Sequence, residues 1–273
     1  MHPLVSFIIP AYNHERFVIK CLNSIRDDSY PNKELVIIDD GSIDDTTLVI
    51  RDWIANEGGA LDIKFNSRDN RGVTATLNEL VNISKGKYIV PIASDDYLLN
   101  HTTKLRVDYL EKNKNKFAVF GDCVIVDDSG AIVNESGLTH LRGGNIDGYR
   151  LDDSLAYEII MNWSIPGPVL MVDRGLFGLV GQYDETIPVE DWDFYLRMVS
   201  VNALGFIDKK VSAYRIHADN ACKDQSRLVI NHKASLASIV RNIKRFKGKN
   251  RILAMYRSLY FVALVLRSLV INK

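Results

Sequence analysis

The sequence predicts an α/β fold in which helices cover both faces of a Rossmann-like, mostly parallel central sheet. Two observations support this prediction. Over residues 4–84, short apolar strands alternate three times with helical segments through short links, a pattern typical of parallel sheets. Several of the predicted strands also end in polar or acidic loops, and ligands bind at the carboxyl edge of such sheets.

The elements of this first part follow from local patterns. The strands are apolar runs that favour burial in a sheet, predicted at 4–10, 34–38, 61–66 and 88–92. The helices that follow them are predicted at 16–27, 46–56, 73–84 and 101–112. Gly41 permits a tight turn after the second strand, and Ser42 or Asp44 can cap the helix that comes next.

The pattern changes after Phe117, where a hairpin replaces the alternation. Its strands are predicted at 117–126 and 131–133, because the turn sequence Asp-Asp-Ser-Gly at 127–130 separates them. A glycine-rich polar segment at 139–153 predicts a mobile loop. The remaining helices are predicted at 155–162, 176–180 and 190–200, and the remaining strands at 167–172 and 205–217.

Length and charge divide the chain into a body and a tail. A chain of 273 residues suits one large domain with an appendage. We predict a domain at 1–222, with halves at about 1–116 and 117–222, and a basic helical tail at 223–273. The tail holds 12 lysines and arginines against one acid, whereas residues 1–222 hold 22 basic and 33 acidic residues. This asymmetry predicts that the tail meets an anionic surface.

The end of the tail is apolar, but Arg257 and Arg267 interrupt it, so it is predicted not to cross a membrane. We expect it to lie in the interface of an anionic membrane. The alternative is packing on the sheet domain or on a second subunit, which would give a homo-oligomer. The chain enters a strand at once, so no signal peptide is predicted. Cys21, Cys123 and Cys222 show no metal-ligand spacing and no disulfide framework, which favours a reducing cytoplasm.

Two adjacent carboxylates, Asp95 and Asp96, follow the apolar strand at 88–92. Side by side they repel each other unless a cation or hydrogen-bond donors offset their charge. The simplest such group is a divalent metal, which takes hard oxygen ligands. The alternative is that both residues begin a turn and cap the helix at 101–112. The loops after the first two strands reach the same edge of the sheet, so we expect a nucleotide-type site there.

Four short segments carry a resemblance to a known family. They are Val-Ser-Phe-Ile-Ile-Pro-Ala-Tyr-Asn at 5–13, Glu-Leu-Val-Ile-Ile-Asp-Asp-Gly-Ser at 34–42, Ser-Asp-Asp at 94–96, and Glu-Asp-Trp at 190–192. In this order and spacing the chain resembles the family-2 glycosyltransferases, which have the GT-A fold. The resemblance covers about residues 5–217.

The resemblance implies a site for a nucleotide diphosphate sugar, with uridine the commonest base. The residues it implies for the nucleotide are Pro10, Ala11, Tyr12, Asp40, Asn70, Arg71, Gly72, Ser94 and Asp95. Tyr12 would stack on the base, Asp40 would accept a ring N–H, and Asp95 would bind the ribose. Arg68 is an alternative candidate for the nucleotide contact that the resemblance assigns to Asn70, Arg71 and Gly72.

The resemblance also implies a divalent metal, magnesium or manganese, bridging the diphosphate. Asp96 would coordinate it, and His217 is a further candidate ligand, with a structural histidine as the alternative. One departure concerns the residue two places before Asp95. Many family members have an aspartate there, whereas this chain has Ala93, so any role of that extra carboxylate is absent.

By the same resemblance, Asp191 is the catalytic base that takes the proton of the acceptor hydroxyl. It stands at a predicted helix N-terminus, where the helix dipole favours the ionised form, and its alternative role is that of an N-cap. Glu190, Trp163 and Trp192 are expected beside the donor or acceptor sugar, with core packing as the alternative for the tryptophans. One base opposite the leaving group implies inversion, and hence a β-linkage from an α-linked donor.

The resemblance therefore implies a metal-dependent inverting glycosyltransferase that transfers a hexosyl or N-acetylhexosaminyl group. It would act at the inner face of a bacterial membrane on a lipid-linked saccharide, in O-antigen, capsule or other surface-polysaccharide synthesis, with no nucleic-acid partner. A nucleotidyltransferase is the weaker alternative, because 11–15 lacks a glycine-rich phosphate loop with a basic residue. The other alternative is a non-catalytic glycosyltransferase-like subunit. The joint presence of four acidic residues argues against it, namely Asp40, Asp95, Asp96 and Asp191.

Overall fold

The structure, a computed structural model, describes residues 2–218 and 228–271. Its strands are β1 (Val5–Ala11), β2 (Lys33–Asp39), β3 (Asp62–Ser67), β4 (Tyr88–Pro91), β5 (Tyr97–Leu98), β6 (Ala118–Val126), β7 (Ile132–Asn134), β8 (Leu170–Asp173) and β9 (Leu204–Arg215). Its helices are α1 (Val18–Asp27), α2 (Thr46–Glu57), α3 (Val73–Ile83), α4 (Thr102–Lys112), α5 (Gly137–Arg142), α6 (Ile146–Tyr149), α7 (Asp152–Met161), α8 (Leu176–Val180), α9 (Glu190–Ser200), α10 (Leu228–Asn242) and α11 (Gly248–Ile271).

The strands form one nine-stranded sheet in the order β3-β2-β1-β4-β8-β6-β9-β5, with β7 beside β6. The first four strands in this order run parallel, and Ala11 at the end of β1 lies opposite Asp39 at the end of β2. β8 runs antiparallel to both β4 and β6, while β6 and β9 are parallel again. The carboxyl ends of β1, β2 and β4 therefore open on one edge, as the sequence predicted.

Helices cover both faces of the sheet, which confirms the predicted fold class. Side chains of β1 alternate between the faces: Phe7 and Ile9 pack with residues of α1, α2 and α4, whereas Ile8 packs with residues of α3, α7 and α9. Most of the predicted helices and strands begin and end close to their predicted positions. The short strand β5 was not predicted.

The segment at 139–153 is helical, so the prediction of a mobile loop was wrong. It forms most of α5, all of α6 and the start of α7. Ser136 caps α5, because its Oγ accepts a hydrogen bond from the Thr139 N–H at 3.2 Å. Gly143 has a φ of 69°, the left-handed conformation that commonly ends a helix. The glycine that suggested a loop is therefore a helix terminator, and Tyr149 anchors the segment in the core.

The strand predicted at 167–172 is shorter than expected. Gly167–Val169 forms a turn of 3₁₀ helix, and β8 begins only at Leu170. Pro168 has no N–H to donate to a neighbouring strand, which explains why the ladder starts after it.

The tail packs on the body through one face, which is the alternative that the sequence left open. α10 lies against α9 and α11 lies against α7. The Phe261 ring packs on Trp192, with ring centroids 5.4 Å apart, and Ile239 and Ala254 are fully buried. Within residues 2–218 and 228–271, no helix is long and apolar enough to cross a membrane. The predicted boundary at 222/223 and Cys222 lie outside the described residues.

Candidate active site

The loops that follow β1 and β2 are tied together at the carboxyl edge of the sheet. The Asn13 N–H donates to Ser42 Oγ at 2.9 Å, and Asn13 Oδ1 accepts from the Ile43 N–H at 2.9 Å. The His14 N–H donates to Thr46 Oγ1, the first residue of α2, at 2.8 Å. Neighbouring Tyr12 is 45% exposed, so its ring is open to a stacking partner while its backbone is held.

Asp40 is buried at the same edge of the sheet, and hydrogen-bond donors hold its carboxylate in place. Its Oδ1 pairs with Arg68 Nη1 and accepts from the Arg71 N–H at 2.9 Å. Arg68 also donates through Nε to Glu79 at 3.0 Å and through Nη2 to Thr76 Oγ1 at 2.9 Å. The guanidinium of Arg68 thus holds Asp40 in position, and Arg71 extends its side chain toward solvent.

Two glycines shape the backbone around Asn70 and Arg71, one through close packing and the other through its positive φ. Gly41 has a φ of 80°, and a Cβ at Gly41 would lie 2.7 Å from the Asn70 nitrogen, so no larger residue fits without a shift. Gly72 has a φ of 85° and precedes α3, and a Cβ added there would meet no atom within 4 Å. The segment Asn70–Gly72 is therefore packed on one side and open on the other, as a nucleotide contact requires.

Asp95 lies between two histidines. His217 Nε2 is 3.0 Å from Asp95 Oδ2, and His14 Nε2 is 3.7 Å from the same oxygen. One ligand atom from each of the three residues lies within 4.8 Å of the others. Burial disfavours the charged form of Asp95, but the hydrogen bond with His217 and the charge of His14 outweigh burial, so the pKa of Asp95 is lowered.

Neighbouring side chains orient both imidazoles. His14 Nδ1 is 2.8 Å from Ser94 Oγ, which turns Nε2 toward Asp95. The His217 ring packs on Phe17, with centroids 4.9 Å apart, and its side chain is buried. Such outer contacts commonly fix the ring orientation of metal-binding histidines.

Asp96 has a different environment from Asp95. Its Oδ1 accepts from the Arg215 N–H at 2.9 Å, and Arg215 Nε donates to the Asp95 carbonyl oxygen at 2.9 Å. The Arg215 guanidinium also lies 4.8 Å above the Phe17 ring. Asp96 therefore joins the end of β4 to the end of β9. Among the described residues, the group with metal-ligand spacing contains Asp95 and His217 but not Asp96.

This cluster of His14, Asp95 and His217 fits a divalent metal ion. Oδ1 of Asp95 is buried and has no hydrogen-bond partner among the residues that the structure describes. A buried anionic oxygen without a partner is costly, and a cation would offset that cost. One carboxylate and two imidazoles are groups that divalent metals take as ligands in proteins. His14 was absent from the sequence-based site, although its place in the loop after β1 put it at the same edge.

Asp191 and Glu190 lie at the N-terminus of α9 and line a cleft of about 1040 Å³. The same cleft is also lined by Arg71, Gly72 and residues of α10 and α11. Asp191 Oδ1 accepts from the Trp192 N–H at 2.6 Å. The cleft therefore joins the predicted nucleotide segment to the predicted base.

The two carboxylates have raised pKa values. Burial, followed by the charge of Asp191, raises the pKa of Glu190 to about 8. Burial also raises the pKa of Asp191, opposed by the Trp192 N–H and by the charge of Arg142. The sequence predicted that the helix dipole favours the ionised form of Asp191. In the structure, desolvation penalises the charge and outweighs this effect. A carboxylate with a raised pKa is a better proton acceptor.

The two tryptophans differ in their surroundings. Trp192 is only 2% exposed, and its Nε1 donates to the Ile159 carbonyl oxygen at 2.8 Å. Its ring packs in the core against Phe261, which is the alternative that the sequence left open, and Trp192 is also one of the residues that line the cleft. Trp163 is partly exposed, lines the cleft and packs edge-on against Tyr195 at 4.9 Å between ring centroids.

The sequence of this chain is similar to those of known proteins. Residues 6–160, more than half of the chain, match the family model Glycosyl transferase family 2. The chain is 26% identical over 219 residues to Chondroitin synthase of Escherichia coli, which covers 80% of this chain and 30% of that protein. It is 28% identical over 204 residues to a PGL/p-HBAD biosynthesis glycosyltransferase of Mycobacterium bovis, covering 74% of this chain and 72% of that protein.

Two solved structures share the fold. S. aureus TarS 1–349 in complex with UDP-GlcNAc has a TM-score of 0.69 at 17% identity, covering 95% of this chain and 72% of that chain. Mannosyltransferase PcManGT from Pyrobaculum calidifontis, in complex with GDP-Man and Mn2+, has a TM-score of 0.66 at 16% identity, covering 99% and 76%. These likenesses confirm the GT-A fold. Together with the match over residues 6–160, they lead to one conclusion: the chain belongs to glycosyl transferase family 2.

Proposed function

We propose that this chain transfers a sugar from a nucleotide diphosphate donor to a hydroxyl of a saccharide acceptor, with a divalent metal and with inversion at the anomeric carbon. The observation that carries the proposal is the cleft of about 1040 Å³, which brings Arg71 and Gly72 together with Glu190 and Asp191. A donor held by the strand-end loops would therefore present its sugar to a carboxylate that can act as base.

The donor nucleotide is proposed to lie along the loops after β1, β2 and β3. The exposed ring of Tyr12 offers a face for the base. Asp40, held by Arg68, is ready to accept a ring N–H, and the backbone around Gly72 leaves room for the nucleotide. Uridine is the proposed base. TarS was solved with UDP-GlcNAc and PcManGT with GDP-Man, so guanosine is the competing choice.

Asp95, His14 and His217 are proposed to hold the metal, in place of the Asp96 that the sequence suggested. A divalent cation bound there would stabilise the negative charge that grows on the departing diphosphate. Asp96 instead keeps the strand end in position through Arg215. Ser94 contributes by orienting His14. Manganese is the proposed metal because PcManGT, which shares the fold, was solved with Mn2+.

Asp191 is proposed as the base of a single in-line displacement. Its carboxylate takes the proton of the acceptor hydroxyl while the hydroxyl oxygen forms a bond to the anomeric carbon. The bond from that carbon to the diphosphate oxygen breaks in the same step, and the nucleotide diphosphate leaves. General base catalysis of this kind contributes roughly 100- to 10,000-fold. Attack opposite the leaving group inverts the anomeric centre.

Donor hydrolysis in the presence and absence of manganese tests the proposal. UDP-, dTDP- and GDP-sugars are incubated with the chain, and released nucleotide diphosphate is measured. A thermal-shift series with the free nucleotides identifies the base, since a ligand that binds only the folded state raises its stability. We expect metal-dependent release from one class of donor. Absence of both binding and release for every donor would favour the non-catalytic subunit instead.

The acceptor is proposed to be lipid-linked, and the chain to work at the inner face of a bacterial membrane in surface-polysaccharide synthesis. Arg257, Tyr260 and Leu264 of α11 line the cleft that holds Asp191. The outer face of the same helix exposes apolar side chains to solvent, namely Ile252, Met255, Tyr256, Leu259, Val262 and Leu266. Lysines and arginines precede this face at 244, 245, 247, 249 and 251. Such a face next to basic residues is typical of helices that lie on anionic membranes.

Point substitutions test the membrane proposal better than truncation, because α11 also carries core residues. The variant Ile252→Ser/Leu259→Ser/Leu266→Ser removes exposed apolar groups of α11. Its matched control, Leu48→Ser/Leu105→Ser/Leu179→Ser, removes exposed leucines elsewhere. Co-sedimentation with anionic vesicles should fall only in the α11 variant. Equal binding by both variants and the parent chain would refute a role for this face.

A further inference from the structure

Arg257 of α11 lines the cleft that holds Asp191, and it differs from the other two arginines of that cleft. The Arg71 side chain pairs with Glu79 at 3.4 Å, and the charge of Arg142 acts on the Asp191 carboxylate. In the described part of the chain, no carboxylate lies within ion-pair distance of the Arg257 guanidinium, and its Nε has no hydrogen-bond partner. Arg257 is therefore a cation of the cleft whose charge no described acid balances.

Aromatic rings, rather than an acid, hold the Arg257 side chain in place. Its Cζ lies 4.6 Å from the centroid of the Tyr260 ring and 4.8 Å from that of the Phe261 ring, within the range of cation–π contacts. The Phe261 ring packs in turn on Trp192, which follows Asp191 in the chain. The guanidinium is thus fixed in position, two ring contacts away from the neighbour of the proposed base.

The surroundings of Arg257 leave its charge poorly compensated. Burial lowers the pKa of Arg257, and Tyr260 is the group that opposes this effect. The side chain is nevertheless partly exposed, so a ligand in the cleft can reach it. A partly desolvated cation gains free energy when an anion pairs with it, and the planar guanidinium fork matches the oxygens of a carboxylate or a phosphate.

Polar side chains of α10 line the same cleft, namely Asn231, His232 and Ser235. None of these side chains hydrogen-bonds another residue in the ranges that the structure describes, and all three are partly exposed. Amide, imidazole and hydroxyl groups can each donate a hydrogen bond to a ligand oxygen. The tail helices therefore contribute one cation and several free donors to the cleft.

We infer that Arg257 binds an oxyanion of the acceptor, a carboxylate or a phosphate, while the hydroxyl that is to be glycosylated lies at Asp191. This inference rests on the proposed function and specifies its acceptor class. The donor diphosphate has its own cation, the metal proposed at the cluster of His14, Asp95 and His217, so the anion for Arg257 belongs to the acceptor. An acidic sugar and a phosphate that joins the saccharide to its lipid share this chemistry.

The test is calorimetric titration of anions into the chain saturated with manganese and the nucleotide diphosphate that it binds, so that the donor site is occupied. The probes are D-glucuronate and glycerol 3-phosphate, with D-glucose and glycerol as their neutral counterparts. We expect at least one anion to bind more tightly than its counterpart. Binding of glucuronate alone indicates an acidic sugar, and binding of glycerol 3-phosphate alone indicates a linking phosphate. Equal binding within both pairs would overturn the inference.

Variants of α11 connect the anion to Arg257. Arg257→Met keeps an apolar stem against the rings and should weaken anion binding by about 10- to 150-fold, the usual effect of losing a charged hydrogen bond. Arg257→Lys should fall between this variant and the parent chain, because lysine keeps the charge without the fork. Arg267→Met is the matched control, since Arg267 is exposed on the same helix and does not line the cleft. Equal anion affinities in Arg257→Met and Arg267→Met would contradict the assignment.

Two further measurements separate this inference from its neighbours. Co-sedimentation with phosphatidylglycerol vesicles should be the same for Arg257→Met and Arg267→Met. If Arg257→Met loses only vesicle binding and keeps its affinity for the soluble anions, Arg257 binds a lipid headgroup and the inference is overturned. Metal-dependent donor hydrolysis without anion binding would overturn the inference alone, whereas failure to bind or hydrolyse any donor would overturn the proposed function and the inference with it.

Discussion

The donor side and the acceptor side of the cleft are built in different ways. On the donor side, the functional groups lie in loops after strands and are fixed by polar side-chain pairs between loops, such as Asp40 with Arg68 and His14 with Ser94. On the acceptor side, the wall is assembled by packing of separate helices, with Phe261 of α11 resting on Trp192 of α9. Donor geometry therefore depends on polar contacts between loops, whereas acceptor geometry depends on the docking of the tail.

Loss of the tail contact should give the largest effect on stability. Phe261→Ala removes a buried aromatic side chain, and such changes cost about 3–5 kcal/mol. Tyr256→Ala, on the exposed face of the same helix, is the control and should change the free energy of unfolding by less than about 0.5 kcal/mol. Chemical denaturation measures both. Equal stabilities of the two variants would mean that α11 is not docked and that the acceptor side does not depend on the docking of the tail.

Loss of the ion pair between Asp40 and Arg68 on the donor side should give the next largest loss of stability. Arg68→Met leaves the Asp40 carboxylate buried without its cation, which should destabilise the chain by about 3 kcal/mol. Arg71→Met is the matched control, because the Arg71 side chain is 60% exposed and its pair with Glu79 lies at the surface. Its effect should be below about 1 kcal/mol. Similar losses in the two variants would show that Asp40 is not held by Arg68.

Manganese binding should distinguish the roles of the two adjacent aspartates, Asp95 and Asp96. Asp95→Asn should weaken manganese binding by at least about 100-fold, because a neutral amide replaces the only anionic ligand of the cluster. Asp96→Asn should leave manganese affinity nearly unchanged, since Asp96 bonds the backbone of Arg215. Calorimetric titration of manganese into each variant measures this. A loss in Asp96→Asn alone would restore the assignment made from the sequence.

The last prediction concerns the dependence of stability on pH. The pKa of Glu190 is about 8 in the folded chain against an ordinary value of 4.5, so unfolding releases a proton between these values. Stability therefore falls as pH rises through that window. Glu190→Gln removes this dependence, and its Tm should decline less between pH 5 and pH 8 than that of the parent chain. Parallel Tm curves for the two chains would contradict the raised pKa.

Sequence patterns predicted the donor side well, because its residues follow strands in recognisable segments. The alternation of strands and helices and the segment around Asp40 are local features, so the sheet edge could be located without a structure. His14 was missed because its role depends on how Ser94 turns its ring toward Asp95. The choice between Asp95 and Asp96 likewise depends on the direction of each side chain at the end of β4, which adjacency does not reveal.

The acceptor side was harder to predict because long-range packing decides it. Trp192 and Trp163 have the same chemical character, yet Trp192 is buried under Phe261 whereas Trp163 is partly exposed. The glycines of 139–153 suggested a loop, whereas tertiary contacts through Tyr149 stabilise helices there. The docking of α11 depends on complementary faces that are about 70 residues apart in the chain.

The most direct test of the proposed function is the Asp191→Asn variant, assayed for both donor binding and transfer. Asparagine keeps the size of the side chain but cannot take a proton at neutral pH. We expect manganese-dependent nucleotide binding to remain within about threefold of the parent chain, while the transfer rate falls by roughly 100- to 10,000-fold. Full transfer activity in Asp191→Asn would contradict the assignment of Asp191 as the base and with it the proposed mechanism.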